Sequence, residues 1–128
     1  MNSRVGSYRE RDGCPVYAAM KVIEGRWKPM VCRRLTERIY GFGELHRTMP
    51  AVTAKVLRQH LRQLEADGIV ARSAPTGPRG QVLYRLTPYG RTLGPVFEKL
   101  WSWGVRHLAR GVSPPKLGAT GGAGIGAS

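Results

Sequence analysis

Residues 53 to 68 read TAKVLRQHLRQLEADG. Each residue of an α-helix turns by about 100°, so Leu57, Leu61 and Leu64 fall on one stripe of such a helix. Lys55, Arg58, Gln59 and Arg62 fall on another, and that second stripe carries no acidic residue. The leucines need a core. Thr53 is a good N-cap and Gly68 a good terminator, so the sequence predicts one helix with both ends marked. Its basic side is either a solvated face or a surface for something negatively charged, and only its setting separates the two.

Upstream, Pro50 disfavours helical backbone at Met49 and so ends a helix expected around residues 43–49, leaving PAV as a short connection. Before it, CPVYAAMKVIEG predicts a first helix with Pro15 at its first position and Gly25 stopping it. RWKPMVCRRLTER predicts a second, in whose first turn Pro29 is tolerated. IYGFG is a break with room for one strand pair. Downstream, IVARSA and QVLYRLT are strand-like and flank PTGPRG, which is all turn formers and one arginine: a β-hairpin with a basic tip. Thr87 and Pro88 form a cap and first-turn pair, and Gly94-Pro95 splits the remainder into a short helix and a longer one over about Pro95 to Leu108. The predicted architecture is mainly α with a small β-hairpin wing: a helix-turn-helix followed by a wing.

At 128 residues the chain suits one compact domain. Residues 1–12 are expected to form a flexible N-terminal arm, 13–110 the domain, and 111–128, rich in Gly, Ala and Pro, a disordered tail. Lys and Arg total 21 against 8 for Asp and Glu, a formal charge of +13. Such an imbalance produces a positive field that attracts polyanions, nucleic acid foremost. No apolar run approaches a membrane span, the first residues are polar, and two cysteines make no disulfide framework; a cytoplasmic location is expected. Nothing predicts an enzyme or a cofactor. His46, His60 and His107 lack metal-ligand spacing, and no glycine-rich phosphate loop follows a strand.

In a helix-turn-helix the second helix enters the major groove and reads base edges near its N-terminus. Thr53 and Lys55 then suit backbone and edge contacts, Gln59 can pair with adenine, and Arg58 or Arg62 with guanine or phosphate. Arg47 on the preceding helix is expected at phosphate. Arg79, between Pro78 and Gly80 at the wing tip, is expected at phosphate or in a minor groove. His60 lies near the boundary of the two stripes. Arg72 and Arg85 are either contacts or the wet face of the hairpin.

The segments CPV, GRWKPMV, FGELHRTMPAVTAKVLRQHLRQLEADGIVAR and LYRLTPYGRTLGPVFEKLWSWG, spread from Cys14 to Gly104, resemble the HxlR-type winged helix-turn-helix transcriptional regulators, relatives of the MarR group. Val52-Thr53 stands where that family often has Ile-Ser, which keeps the cap, and Leu83 where it often has Glu. The resemblance implies a DNA-binding dimer joined by its N- and C-terminal helices. The sequence has a matching apolar surplus in Phe97, Leu100, Trp101, Val105 and Leu108 near the C-terminus, with Val16, Met20 and Ile23 in the first helix; a two-fold interface would absorb it. Some HxlR-type proteins sense oxidants, quinones or aldehydes through a cysteine, and Cys14 is the candidate here, at a helix start with Arg11 nearby in sequence. Cys32 reads as a buried small hydrophobe.

The expected function is therefore a homodimeric, sequence-specific regulator of transcription, a repressor by preference, on an inverted-repeat operator, with a redox or electrophile signal at Cys14. The alternative is a basic architectural or RNA-associated protein that binds by phosphate contacts alone.

Overall fold

Proline at a first helical position sacrifices an N–H that has no partner there, and α1 (Pro15–Val22) begins in that way, with the Cys14 carbonyl accepting the Ala18 N–H at 3.0 Å. In the computed structural model, which describes residues 13–111, eight further elements follow. They are α2 (Trp27–Glu37), β1 (Tyr40–Gly41), α3 (Phe42–Thr48), α4 (Ala54–Ala66), β2 (Val70–Arg72), β3 (Leu83–Leu86), the single turn α5 (Pro88–Arg91) and α6 (Gly94–Ala109). The arm expected over 1–12 and the tail after Gly111 lie outside the described residues. The chain divides after Gly94 into two compact units.

The first unit is built around the outward-facing helix α4. Its Thr53 hydroxyl accepts the Val56 N–H at 3.1 Å, satisfying one of the orphan donors of the first turn. At the other end Gly68 takes φ +79°, which lets its N–H reach the Glu65 carbonyl and the Ile69 N–H reach that of Leu64. Leu57, Leu61 and Leu64 are at most 1% exposed. They meet a core of Val31, Cys32 and Leu35 from α2, Leu45 and Met49 from and after α3, Val52 from the turn, and Ile69, Val70, Tyr84 and Leu86 from the sheet region.

The turn between α3 and α4 is tightly tied. Val52 N–H donates to the Met49 carbonyl at 3.3 Å, and His46 Nε2 donates to the Val52 carbonyl at 2.7 Å. At the start of α3, Glu44 accepts the Gly41 N–H at 2.9 Å, a favourable place for a negative charge at a helix N-terminus.

The sheet is antiparallel with order β1-β3-β2, pairing Tyr40 with Tyr84 and Val70 with Leu86. The room for a strand pair in IYGFG is filled by β1. The two hairpin strands are shorter than the sequence predicts. Ser73 is the reason: its N–H donates to the Leu83 carbonyl, and its hydroxyl oxygen accepts the Leu83 N–H at 2.9 Å, ending the backbone ladder. Only a Thr76–Gln81 bridge continues the pairing, closed by Gly77, Pro78, Arg79 and Gly80. Gly90 of α5 approaches so closely that a Cβ there would sit 2.2 Å from the Ile69 carbonyl oxygen. Thr87 links the same region, donating its hydroxyl to the Gly68 carbonyl and accepting the Gly90 N–H.

The second unit contains α6, sixteen residues long, none of them buried. Leu100, Trp101, Val105 and Leu108 are exposed and Phe97 is half-buried. Trp103 stacks on His107 with ring centroids 5.0 Å apart. In the first unit α1 also buries nothing, and Val16 and Met20 are each more than 60% exposed. No helix among the described residues is long and apolar enough to cross a membrane.

Candidate nucleic-acid interface

With its leucines turned inward, α4 presents Lys55, Arg58, Gln59 and Arg62 to solvent. Four exposed polar side chains thus share one side of a helix whose other side is anchored. Thr53, also exposed, spends a lone pair on its cap and keeps its hydroxyl proton available to an outside acceptor. His60 is half-buried, and its Nδ1 has no hydrogen-bond partner among the described residues.

Arg58 is held from the side. Its guanidinium carbon lies 3.9 Å from the centroid of the Phe42 ring, at the start of α3. Farther along α4, Arg58 and Arg62 line an open cleft of about 470 Å³ with Leu61, Glu65, Ala66, Arg72 and Tyr84. Arg72 on β2 crosses to Glu65 on α4 at 3.6 Å, so the cleft joins helix to hairpin. Both partners of that pair are substantially solvated, and its stabilisation is at most about 1 kcal/mol. Its clearer consequence is geometric: it sets Arg72 beside Arg58 and Arg62 in the cleft, with its charge paired to Glu65.

Arg47 is exposed on α3, with its guanidinium near Gly43 one turn back. Arg79 is exposed at the hairpin tip, where Gly77 and Gly80 take positive φ. Arg38 differs from these. It stacks over Tyr40 at 4.0 Å and pairs with Glu44 at 3.7 Å, so its charge is largely spoken for. The Gly41 N–H, helped by the charges of Arg38 and Arg47, holds the Glu44 carboxyl below its usual pKa although desolvation opposes the shift.

The two thiols have opposite environments. Cys32 is buried in α2, and desolvation pushes its pKa up to about 11 although Lys28 opposes the shift. It is therefore a protonated, inaccessible thiol at neutral pH. Cys14 is exposed at the N-cap of α1. Arg11, which the sequence places nearby, lies outside the described residues.

Phe42, Tyr84 and Glu65 carry no signal of a role at this face when the sequence is read alone. Phe42 is sixteen positions from Arg58, and no periodicity connects them. The one clue available was composition: aromatic residues beside a basic helix are potential stacking partners for arginine.

A model of the HxlR-like helix-turn-helix family matches residues 22–111. The HTH-type transcriptional regulator YybR of Bacillus subtilis is 36% identical over 104 residues, covering 81% of this chain and 83% of its own. The redox regulator HypR, solved in its reduced form, superposes with a TM-score of 0.71 at 35% identity, over 77% of this chain and all of that one. The quinone-bound form of YodB from B. subtilis gives a TM-score of 0.64 at 29% identity, over 73% of this chain and 98% of that one. Helix order, hairpin and sequence agree, and the chain belongs to the HxlR-like helix-turn-helix family of transcriptional regulators.

Proposed function

We propose that this regulator binds a specific DNA operator as a homodimer, with α4 in the major groove and the β2–β3 hairpin beside it. One observation carries the reading: α4 is anchored by buried Leu57, Leu61 and Leu64 and offers Lys55, Arg58, Gln59 and Arg62 outward on one basic stripe, between a tied turn and a hairpin with a basic tip. Arginine and glutamine read guanine and adenine edges with paired hydrogen bonds. Thr53, Arg47 and Arg79 serve the phosphates or, for Arg79, a minor groove. The exposed apolar residues of α1 and α6 supply the dimer contact, and a two-fold protein requires an inverted-repeat site with half-sites about one helical turn apart. Occupying such a site at a promoter represses transcription by excluding the polymerase.

The test is competition. Fragments are selected by the protein from random duplex DNA, then challenged with excess unrelated duplex at fixed salt. A specific regulator keeps the selected fragment. Arg62→Ala, which leaves the core untouched, lowers that affinity about tenfold, the size of one good base or phosphate contact. Equal displacement from every fragment identifies instead a non-specific basic nucleic-acid binder.

The proposed signal is an electrophile or oxidant at Cys14. Its thiol is exposed, whereas Cys32 is shut away. The structural relatives include a redox regulator and a quinone-bound regulator. For a quinone, the thiol adds S–H across a C=C bond, forming one C–S bond with no further reactant. The adduct regulates only if it favours one DNA-binding conformation over another. Benzoquinone should release operator from the wild type and not from Cys14→Ser; the same release from both proteins removes Cys14 from the mechanism.

A further inference from the structure

We propose that Phe42 is a positioning residue for DNA specificity, acting through Arg58; this rests on the operator-binding reading above. Phe42 opens α3 and is half-buried, and its ring lies 3.9 Å from the Arg58 guanidinium carbon. Stacking occupies a face of the guanidinium and none of its in-plane N–H donors. Among the described residues Arg58 takes part in no ion pair, so the donors of the stacked group stay available. Arg38 shows the contrast, because it is stacked on Tyr40 but also paired with Glu44.

The ring is itself held. Phe42 packs against His46 with centroids 5.9 Å apart, and His46 Nε2 donates to the Val52 carbonyl in the turn that leads into α4. Phe42 therefore connects the turn to the arginine it supports. An exposed arginine samples many rotamers, whereas bidentate reading of a base needs the planar fork at one orientation. A phosphate accepts a mobile positive charge from many directions. The stack restricts Arg58 before DNA arrives, so it favours base reading far more than general attraction.

The experiment uses the full chain, duplexes selected by the wild type from a random library, and unrelated duplex of the same length. Phe42→Leu keeps bulk and removes the π face. It should weaken binding to the selected duplex about fivefold, the scale of a lost cation–π contact, while binding to unrelated duplex changes less than about twofold. Phe42→Tyr should restore the wild-type ratio. In an Arg58→Ala background, Phe42→Leu should add no further loss. Arg58→Lys tests the same idea without touching the ring, and it should also lose selected-duplex affinity while keeping unrelated binding.

Equal loss on both duplexes, failure of Phe42→Tyr to rescue, or an undiminished effect of Phe42→Leu in the Arg58→Ala background makes the stack a mere fastening of α3 to α4 and overturns the proposal. If Phe42→Leu proves unstable, full retention of selected-duplex affinity by Arg58→Lys overturns it as well. A wild type that selects no duplex at all defeats the operator-binding reading first. A wild type that selects, with Arg58→Ala unchanged, defeats only this proposal.

Discussion

Helices α4 and α6 are both amphipathic, yet they use their apolar sides in opposite ways. In α4, Leu57, Leu61 and Leu64 are at most 1% exposed and the charged side faces solvent. In α6 no residue is buried, and Leu100, Trp101, Val105 and Leu108 are each at least half exposed. An apolar stripe drives folding only where its own unit covers it. Where it stays uncovered on a longer helix, it is surface available for association, and contiguous exposed patches of this kind mark interfaces. The polar stripe of α4 and the apolar stripe of α6 are thus two surfaces left exposed after folding, the first proposed here for DNA and the second for another copy of the chain.

The largest expected effect tests the buried side. Leu61→Ala should destabilise the protein by about 2–5 kcal/mol, because the lost transfer free energy is joined by an unfilled cavity. Leu100→Ala on α6, removing the same atoms from an exposed site, should shift the unfolding midpoint far less when measured on protein dilute enough to be monomeric. Urea unfolding followed by circular dichroism measures both. Comparable losses from the two substitutions would break the distinction between the helices.

Next in size is association. Replacing Leu100 with Asp should displace the proposed dimer toward monomer by at least about tenfold in dissociation constant, since charge is excluded from an interface core. Sedimentation at several concentrations reads this directly. Operator affinity should fall with it, because one half-site holds a monomer weakly, while helical content stays near that of the wild type. An unchanged sedimentation profile would assign the dimer contact elsewhere.

The features legible in the sequence are those that repeat or punctuate. The leucine spacing, the Thr53 cap, the Gly68 end and the Pro15 start each follow from local rules, and α4 follows from them together. So do the order of helices and the existence of the hairpin. What escaped is tertiary. Ser73 shortens the hairpin because its hydroxyl happens to reach the Leu83 N–H, which strand propensity does not encode. Arg58 meets Phe42 and Arg72 meets Glu65 only because a particular turn and a particular sheet register carry them there. Arg58 was visible as a charged position, while the ring it stacks on was not. Periodicity reports which side of an element faces the core, and says little about what its outer side leans on.

The smallest effect concerns charge in the region that supports α4, and it separates the two helices by pH. Glu44 caps α3 through the Gly41 N–H, and that bond, with Arg38 and Arg47 nearby, depresses its pKa below 4.5. A carboxyl with a depressed folded-state pKa stabilises the fold above its unfolded pKa, and that contribution fades as pH falls through the folded value. Glu44→Gln should therefore lower stability modestly at pH 7, and the difference from wild type should shrink steadily below about pH 4.5, measured by urea titration across pH. The first turn of α6 has no acidic residue, so substitutions there should show no such acid-dependent convergence. A gap between wild type and Glu44→Gln that stays constant down to pH 3 would mean that the carboxylate charge contributes nothing at the α3 start, leaving only a neutral hydrogen bond there. Convergence would place part of the platform beneath α4 under the control of one exposed carboxylate, whereas the α6 surface would depend on apolar contact alone.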